Sequence, residues 1–300
     1  MTEAPGSLAH LGRLVAELEN EPALVEPGQL RLRLDALDRL DRFDRLDAYL
    51  PQAVLDADPI EPELYRRARA ISARLEAVNR ERYEAVRREI QRGSGPDALL
   101  RWVHILAAGG PAGGMGYDYL DELVSGVLPF EEPGVEDIPR DAEQVFYQPT
   151  PARHIFSLIG LAALTASDVL VDLGSGLGHV PLLVSISTPA RCIGIELEPA
   201  YVERARQCAQ SLNLNLNRVS FLNQDARVAD LSTGTVFYLY TPFTGSILRA
   251  VLDRLRREAA TRPLRICSYG PCTSVIAEEP WLEATTATEP DRIALFRSCN

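Results

Sequence analysis

A short apolar run that leads into three glycines at alternate positions constrains the fold of this chain more than any other feature. The run Asp168-Val169-Leu170-Val171 has the apolar, β-branched character of a strand that is covered on both faces. Gly174, Gly176 and Gly178 follow it, and an apolar helical pattern begins at residue 179. Without side chains at the turn, a ligand can approach the main chain and the free N–H groups of the helix start. The turn therefore predicts a binding site for a polar or anionic group, although such glycines also serve simple chain reversal.

The remainder of residues 146–300 alternates strand-like and helix-like patterns. Strands are predicted at 168–173, 191–196, 218–223, 234–240 and 264–269, and helices at 154–165, 179–187, 199–211 and 246–259. This alternation predicts a parallel sheet with helices on both faces. Two further strand-like runs, 281–288 and 292–298, are joined by Glu289-Pro290-Asp291 and predict an antiparallel hairpin that closes the sheet.

The preceding half of the chain is predicted to be helical. Helical patterns cover 34–49, 64–90, 97–107 and 117–128, and residues 129–151 are rich in proline and acidic residues, as in an extended connection. We therefore predict two domains. Residues 1–145 form a helical region that serves as a substrate lid or an interaction domain, and residues 146–300 form the α/β domain.

Composition excludes several kinds of function. The chain has 300 residues and a net charge of −11, which does not favour a general nucleic-acid surface and suits a basic protein partner better. All 31 basic residues are arginine, so Schiff-base chemistry and a Walker-type lysine are excluded. Five cysteines without a Cys-x-x-Cys pair predict no structural metal. No apolar run reaches the roughly 20 residues that cross a bilayer, and the first 20 residues lack a secretory signal, so we expect a cytoplasmic protein.

Two carboxylates stand at the ends of the next predicted strands. In an open parallel sheet, ligands bind beyond the carboxyl ends of the strands. Glu196 ends the second strand, where a carboxylate can accept hydrogen bonds from both hydroxyls of a ribose. Asp225 follows the third strand and suits the exocyclic amino group of adenine. Each could singly be a solvated strand end, but together with the glycines they predict a nucleoside pocket.

These segments, in this order, resemble the successive motifs of class I S-adenosylmethionine-dependent methyltransferases. The motifs are Asp172-Leu173-Gly174-Ser175-Gly176-Leu177-Gly178, Gly194-Ile195-Glu196 and Asp225-Ala226, and the resemblance covers roughly residues 147–300. It implies an α/β fold with a Rossmann-like seven-stranded, mostly parallel sheet closed by an antiparallel hairpin, and S-adenosylmethionine as the cofactor.

The resemblance also implies a role for each motif. Glu196 would bind the ribose, Asp225 and the Ala226 N–H the adenine, and Asp172 would hold the loop or meet the methionine ammonium. The loop residues Gly174, Ser175, Gly176 and Gly178 would contact the methionine part.

The segment Tyr147-Gln148-Pro149-Thr150-Pro151-Ala152-Arg153-His154 precedes the first helix of the α/β domain. In related methyltransferases the equivalent segment lies over the cofactor, which implies that Gln148 and Thr150 hydrogen-bond its methionine end. Together with the Asp-Leu-Gly-Ser-Gly-x-Gly loop, the segment is loosely similar to the non-SET protein-lysine methyltransferases that act on histones, although the chain lacks their Asn-rich fourth motif. Proline rigidity alone would also explain the segment.

Tyr240-Thr241-Pro242-Phe243 stands where the family places its substrate-facing motif. Methyl transfer is an in-line displacement, which chiefly requires alignment of the acceptor. We predict that Tyr240, Thr241 and Phe243 align a nitrogen or oxygen nucleophile. Many amino-group methyltransferases have Asn or Asp followed by Pro-Pro-aromatic here, and this chain departs from that pattern. A strand ended by proline and packed aromatic rings would explain the same residues without catalysis.

The sequence thus predicts an enzyme that transfers a methyl group from S-adenosylmethionine to an acceptor, which is a protein or a small molecule. One alternative is a non-catalytic binding module that keeps the same fold. The other alternative is an NAD(P)-dependent oxidoreductase. The glycine spacing and the absence of a Tyr-x-x-x-Lys motif argue for methyl transfer over this alternative.

Overall fold

The computed structural model describes residues 8–47, 61–107, 116–130 and 142–299. The chain forms two compact units, Met1–Ala85 and Val86–Asn300. The first unit contains the helices α1 (Leu8–Glu19) and α2 (Leu30–Asp47), a 3-10 turn (Pro22–Val25) and most of α3 (Glu61–Gln91). The helices predicted at 34–49 and 64–90 are therefore present, with ends shifted by a few residues.

Arg33 is completely buried within the first unit. Its Nε donates to Asn79 Oδ1 at 2.6 Å, and its guanidinium also donates to the carbonyls of Leu24 and Glu26 at 3.2 and 2.6 Å. Hydrogen bonds of this kind compensate a buried charge for its lost hydration. Arg33 therefore ties the chain around the 3-10 turn to two helices.

The second unit contains the remaining elements. Its helices are α4 (Gly95–Ala107), α5 (Tyr119–Val127), α6 (Ala152–Ala162), α7 (His179–Ser187), α8 (Pro199–Ser211), α9 (Gly245–Ala259) and α10 (Cys272–Ala277). Its strands are β1 (Val169–Leu173), β2 (Arg191–Glu196), β3 (Val219–Asn223), β4 (Val236–Tyr240), β5 (Arg265–Tyr269), β6 (Leu282–Ala284) and β7 (Ala294–Ser298).

The seven strands form one sheet in the order β3-β2-β1-β4-β5-β7-β6. Strands β1 to β5 pair in parallel, and β7 is antiparallel to both β5 and β6. The strand order reverses at β1, and this is where ligands bind in such sheets. Asp172, near the end of β1, is in register with Gly194 on β2 and Tyr238 on β4. This is the predicted Rossmann-like fold.

All five residues of β1 are buried, as the apolar run predicted for a central parallel strand. Alternate side chains Val169, Val171 and Leu173 share one apolar core with helix α9, whose Val251 and Leu252 are fully buried. Helix α7 contacts β1, β2 and β3. Its hydrophobic residues are buried almost throughout because the sheet and α4 and α6 all contact it.

Several elements differ from the predictions. Strands β6 and β7 are shorter than the predicted runs, because the Thr286 hydroxyl accepts from the Leu295 N–H and replaces a main-chain carbonyl in the ladder. Helices α1 and α10 were not predicted. The six residues of α10 are too few for a periodic pattern. Part of the predicted connection at 129–151, residues 131–141, lies outside the described residues.

The division of the chain into units falls at residue 85, so α4 and α5 belong to the same compact unit as the sheet. The predicted role of residues 1–145 as a lid or an interaction domain stays a prediction. Among the helices of the described residues, none combines the length and apolar character needed to cross a membrane.

Candidate active site

A cavity of about 490 Å³ lies beyond the carboxyl ends of β1 to β4. Four loops that follow these strands line it, together with residues 144–150 of the segment 143–150, which we call the strap. Its volume falls in the range of about 300–1,000 Å³ typical of small-molecule sites. The predicted site residues that line it are Gln148, Thr150, Asp172, Gly174, Ser175, Glu196, Asp225, Ala226, Tyr240, Thr241 and Phe243.

The glycine turn after β1 has an unusual main chain. Gly174, Gly176 and Gly178 have φ angles of 82°, 51° and 82°, in the left-handed region that favours glycine. A Cβ atom at each would overlap a protein side chain, namely Pro242, Tyr147 and Phe221 respectively. The glycines are therefore required by both backbone conformation and close packing within the protein.

Three N–H groups of this turn, which the sequence suggested would be open to a ligand, are engaged within the protein. Gly174 and Ser175 donate to the Ile195 carbonyl at 2.8 and 3.0 Å, and Gly176 donates to Glu196 Oε2 at 2.8 Å. The turn is thus hydrogen-bonded to the end of β2. The N–H groups of Gly174, Ser175 and Gly176 therefore hold the neighbouring strand.

Glu196 is fixed at the wall of the cavity. Its Oε2 accepts from Gly176, and its Oε1 accepts from the Glu198 N–H at 2.9 Å. A carboxylate has about four acceptor positions, so two remain for other donors. The geometry fits a pair of adjacent hydroxyl groups.

Asp172 is only 3% exposed, lines the cavity and has no hydrogen-bond partner among the described residues. Burial and the neighbouring Glu196 raise the pKa of its carboxyl well above the usual value. An ammonium group would provide the hydrogen bonds and the positive charge that this carboxylate lacks.

The Ser175 hydroxyl is also buried without a hydrogen-bond partner in the part of the chain that the structure describes. It lies next to Gly194 on β2, since a Cβ atom on Gly194 would be only 2.7 Å from Ser175 Oγ. A buried polar atom without a partner calls for an explanation, and a bound polar ligand is one.

Asp225 and Ala226 follow β3, and Ala226 is buried. Asp225 forms a salt bridge with Arg227 at 2.7 Å, and this guanidinium is the main cause of the lowered pKa of the Asp225 carboxyl. Arg227 lines the cavity as well. The sequence did not indicate a role for Arg227, because an arginine two residues after an aspartate is not a recognisable motif.

The strap begins at Glu143, whose carboxylate accepts from Ser246 Oγ at 2.7 Å and from the Ile247 N–H at 3.0 Å at the start of α9. The Val145 N–H donates to the Pro242 carbonyl at 3.2 Å. The strap is therefore attached to the loop that follows β4.

Further along the strap, the Tyr147 ring packs against Gly176 and against the Tyr201 ring, with 4.9 Å between the two ring centroids. The Tyr147 hydroxyl is hydrogen-bonded to His179 Nδ1 at 3.2 Å. Thr150 Oγ1 is hydrogen-bonded to the Tyr238 hydroxyl at 2.9 Å. Sequence reasoning placed the strap correctly beside the cavity but missed Tyr147 as its central contact.

At the other end of the strap, the Gln148 side chain is hydrogen-bonded to Tyr117. Burial raises the pKa of Tyr117, and this hydrogen bond offsets part of the effect. The Tyr117 hydroxyl donates to the Pro149 carbonyl at 2.9 Å. Asp121 Oδ1 accepts from the Ala152 N–H at 2.7 Å, just beyond the strap. Both ends of the strap are thus attached to neighbouring elements.

The end of β4 brings Tyr240, Thr241 and Phe243 to the cavity, as predicted. The Tyr240 hydroxyl is buried without a hydrogen-bond partner among the described residues, and its ring packs on Tyr269 at 4.6 Å. Thr241 has a φ of 39°, and its Oγ1 donates to the Tyr269 carbonyl at 3.3 Å and accepts from the Cys272 N–H at 3.0 Å. The Thr241 hydroxyl is therefore engaged within the protein, whereas that of Tyr240 is not.

The model of a protein family described as histone methylation protein DOT1 matches residues 143–233. This range starts with Glu143 of the strap and includes the loops that carry Asp172, Glu196 and Asp225. No curated protein matches the chain at a significant level.

Solved structures include similar chains. An RNA methyltransferase from Salinibacter ruber in complex with S-adenosyl-L-homocysteine is 26% identical over 50% of this chain and 92% of that chain, with a TM-score of 0.39. A methyltransferase from Geobacter sulfurreducens is 16% identical over 51% of this chain and 80% of that chain, with a TM-score of 0.40. Three findings bear on the class of the protein: the strand order, the cavity and the family model.

Together, these three findings identify the chain as a class I S-adenosylmethionine-dependent methyltransferase. Its cofactor is S-adenosylmethionine. The donors and acceptors of the cavity fit that molecule, because an unpartnered buried carboxylate suits its ammonium and Glu196 suits its ribose hydroxyls. The predicted fold, enzyme class and cofactor are confirmed.

Proposed function

We propose that the enzyme methylates a side-chain amine of a basic protein. The observation that carries the proposal is the match of residues 143–233 to a family described by histone methylation. That match spans the strap and three of the cavity loops, which include both the cofactor-facing carboxylates and the cover of the cavity.

The charge of the chain supports a basic acceptor. Its net charge is −11, and a strongly acidic protein attracts basic partners over longer distances than neutral ones. The same charge repels the phosphates of nucleic acids.

The proposed cofactor contacts follow the cavity wall from β1 to β3. Asp172 holds the ammonium, and the Ser175 hydroxyl contacts the methionine part with the glycine turn. Glu196 binds the ribose hydroxyls, and Asp225 and the Ala226 N–H bind the adenine. S-adenosylmethionine supplies a methyl group on a positively charged sulfur, and these residues orient it.

Gln148 and Thr150 border the same region from the strap. Thr150 is buried, and its hydroxyl is hydrogen-bonded to the Tyr238 hydroxyl. This pair forms part of the wall around the methionine end of the cofactor. Gln148 contributes at the cavity wall.

The acceptor-facing end is formed by Tyr240 and Phe243. Burial raises the pKa of Tyr240 to about 12, so its phenol keeps its proton near neutral pH. A neutral phenol can accept a hydrogen bond from an amine N–H and so direct the nitrogen lone pair, which suits an in-line displacement. Phe243 forms an apolar wall, and Thr241 shapes the loop through its internal hydrogen bonds.

Methyl-labelled S-adenosylmethionine tests the acceptor directly. The full chain is incubated with core histones and, in parallel, with the same histones after chemical acetylation of their lysine amines. We expect label on the untreated protein and a loss of at least tenfold after acetylation. A parallel incubation with cell lysate is separated into protein, nucleic acid and small molecules. Label confined to the latter two fractions would overturn the proposal.

Tyr240→Phe is the matched variant for this assay. It removes a hydroxyl that has no hydrogen-bond partner among the described residues, so folding should be preserved. We expect about a tenfold lower kcat with unchanged cofactor affinity, because loss of one orienting hydrogen bond costs about 1–1.5 kcal/mol. An unchanged kcat would remove Tyr240 from the proposal.

A further inference from the structure

Arg227 occupies the carboxylate that the proposed function assigns to adenine. Asp225 Oδ1 accepts from the Arg227 main-chain N–H at 2.8 Å and from its Nε at 3.1 Å. Asp225 Oδ2 accepts from Nε at 3.0 Å and from the terminal guanidinium nitrogen at 2.7 Å. Both residues line the cavity, so the pair lies within the site itself.

These hydrogen bonds use most of the acceptor capacity of Asp225. An ionised carboxylate offers about four lone-pair positions, and Arg227 directs three N–H groups at them: its main-chain N–H, its Nε–H, which is shared between both oxygens, and one terminal N–H. An adenine amino group that approaches the same two oxygens therefore competes with the guanidinium. The side chain of Arg227 is 41% exposed, which leaves it room to turn away.

A second anionic group lies close to Arg227. The pKa of the Glu143 carboxyl is lowered mainly by its hydrogen bonds with Ser246 and Ile247, and also by the charge of Arg227. The charge of Arg227 therefore acts on the first residue of the strap as well as on Asp225.

We propose that Arg227 competes with the adenine amino group for Asp225 and thereby sets the affinity and base specificity of the nucleoside end of the site. This inference rests on the proposed contact between Asp225 and adenine. It predicts that removing the guanidinium strengthens binding of a purine that carries a 6-amino group. A 6-oxo purine presents an acceptor instead, which suits the arginine, so the same change should not strengthen its binding.

Isothermal titration calorimetry with S-adenosyl-L-homocysteine and its 6-oxo analogue, S-inosyl-L-homocysteine, tests the competition. For Arg227→Gln we expect about threefold tighter binding of S-adenosyl-L-homocysteine, since partly exposed ion pairs are weak. Binding of the 6-oxo analogue should be unchanged or weaker. Equal or weaker binding of S-adenosyl-L-homocysteine by Arg227→Gln would overturn the inference.

Two further variants separate this inference from the proposed function. Arg297→Gln is the control, because Arg297 pairs with Glu283 on the closing strands, away from the residues that line the cavity. In an Asp225→Ala background the effect of Arg227→Gln should vanish, and its persistence would contradict the competition. If Asp225→Ala binds both ligands as the unaltered chain does, the proposed adenine contact itself fails.

Discussion

The ring of Tyr147 lies so close to Gly176 that a Cβ atom at residue 176 would overlap its Cε2 and Cδ2 atoms. Gly176 also has a φ of 51°, which disfavours any other residue. The strap and the glycine turn therefore meet at this glycine. Tyr147 in turn packs on Tyr201 and hydrogen-bonds His179, so the contact is supported from two sides.

Gly176→Ala is expected to lower the free energy of unfolding by about 2–4 kcal/mol. The left-handed backbone costs a side-chain-bearing residue about 1–2 kcal/mol, and displacement of the Tyr147 ring adds a similar amount. Urea unfolding measures the change. Cofactor affinity, measured by calorimetry, should fall at least tenfold because the strap has to move.

Gly160→Ala is the matched control. Gly160 lies in helix α6, and nothing lies within 4 Å of a Cβ atom placed there. Alanine is a better helix former, so this variant should be more stable by about 0.5–1 kcal/mol. Equal effects of the two substitutions would contradict the close contact at Gly176.

Glu196→Gln should weaken binding of S-adenosyl-L-homocysteine about 10–100-fold, because hydrogen bonds to a charged group are worth about 1.5–3 kcal/mol. The amide also loses one of the two acceptors that bind the Gly176 and Glu198 N–H groups. Glu203→Gln, on the exposed face of α8, is the control and should bind normally. Normal binding by Glu196→Gln would show that ribose is held elsewhere.

Thr241→Val should destabilise the protein by about 1–3 kcal/mol, since it leaves the buried Cys272 N–H without its acceptor. Tyr240→Phe should change stability by less than about 0.5 kcal/mol, because no such bond is lost. Thermal unfolding of the two variants under the same conditions checks the contrast. Equal loss in both would mean that the Tyr240 hydroxyl also has a structural role.

Asp172→Asn should make the protein more stable than the unaltered chain at pH 7.5. The pKa of Asp172 is raised in the folded state, so the folded chain binds a proton more tightly than the unfolded chain, and stability falls as the pH rises above about 3.8. Asparagine removes this dependence, and the difference between the variants should shrink towards pH 4. Urea unfolding at both pH values measures it, and a difference independent of pH would contradict the raised pKa.

The same variant should bind S-adenosyl-L-homocysteine more weakly, because a neutral amide gives no charge to the ammonium. In the unaltered chain, affinity should increase with pH until Asp172 is fully ionised. Calorimetry in two buffers of different ionisation enthalpy should detect release of a proton on binding. Absence of proton release would show that Asp172 is already ionised or does not meet the ammonium.

The sequence by itself determined the α/β architecture of residues 146–300. Strands and helices alternate there, and the largely apolar β1 run, all of it buried, indicates a strand at the centre of a sheet covered on both faces. The glycine turn and the acids Glu196 and Asp225 were also recognisable, because they stand at fixed places relative to strand ends. These are local features, and periodicity and turn chemistry report them directly.

Only the tertiary structure decided which groups are available to a ligand. The N–H groups of the glycine turn bind β2, Thr241 binds the turn after β5, and Arg227 covers Asp225. Residue types alone do not show which of these hydrogen bonds form, because that depends on the folded positions of both partners. Tyr147 over Gly176 joins residues 29 positions apart, and such a contact exists only once the strap is folded against the sheet.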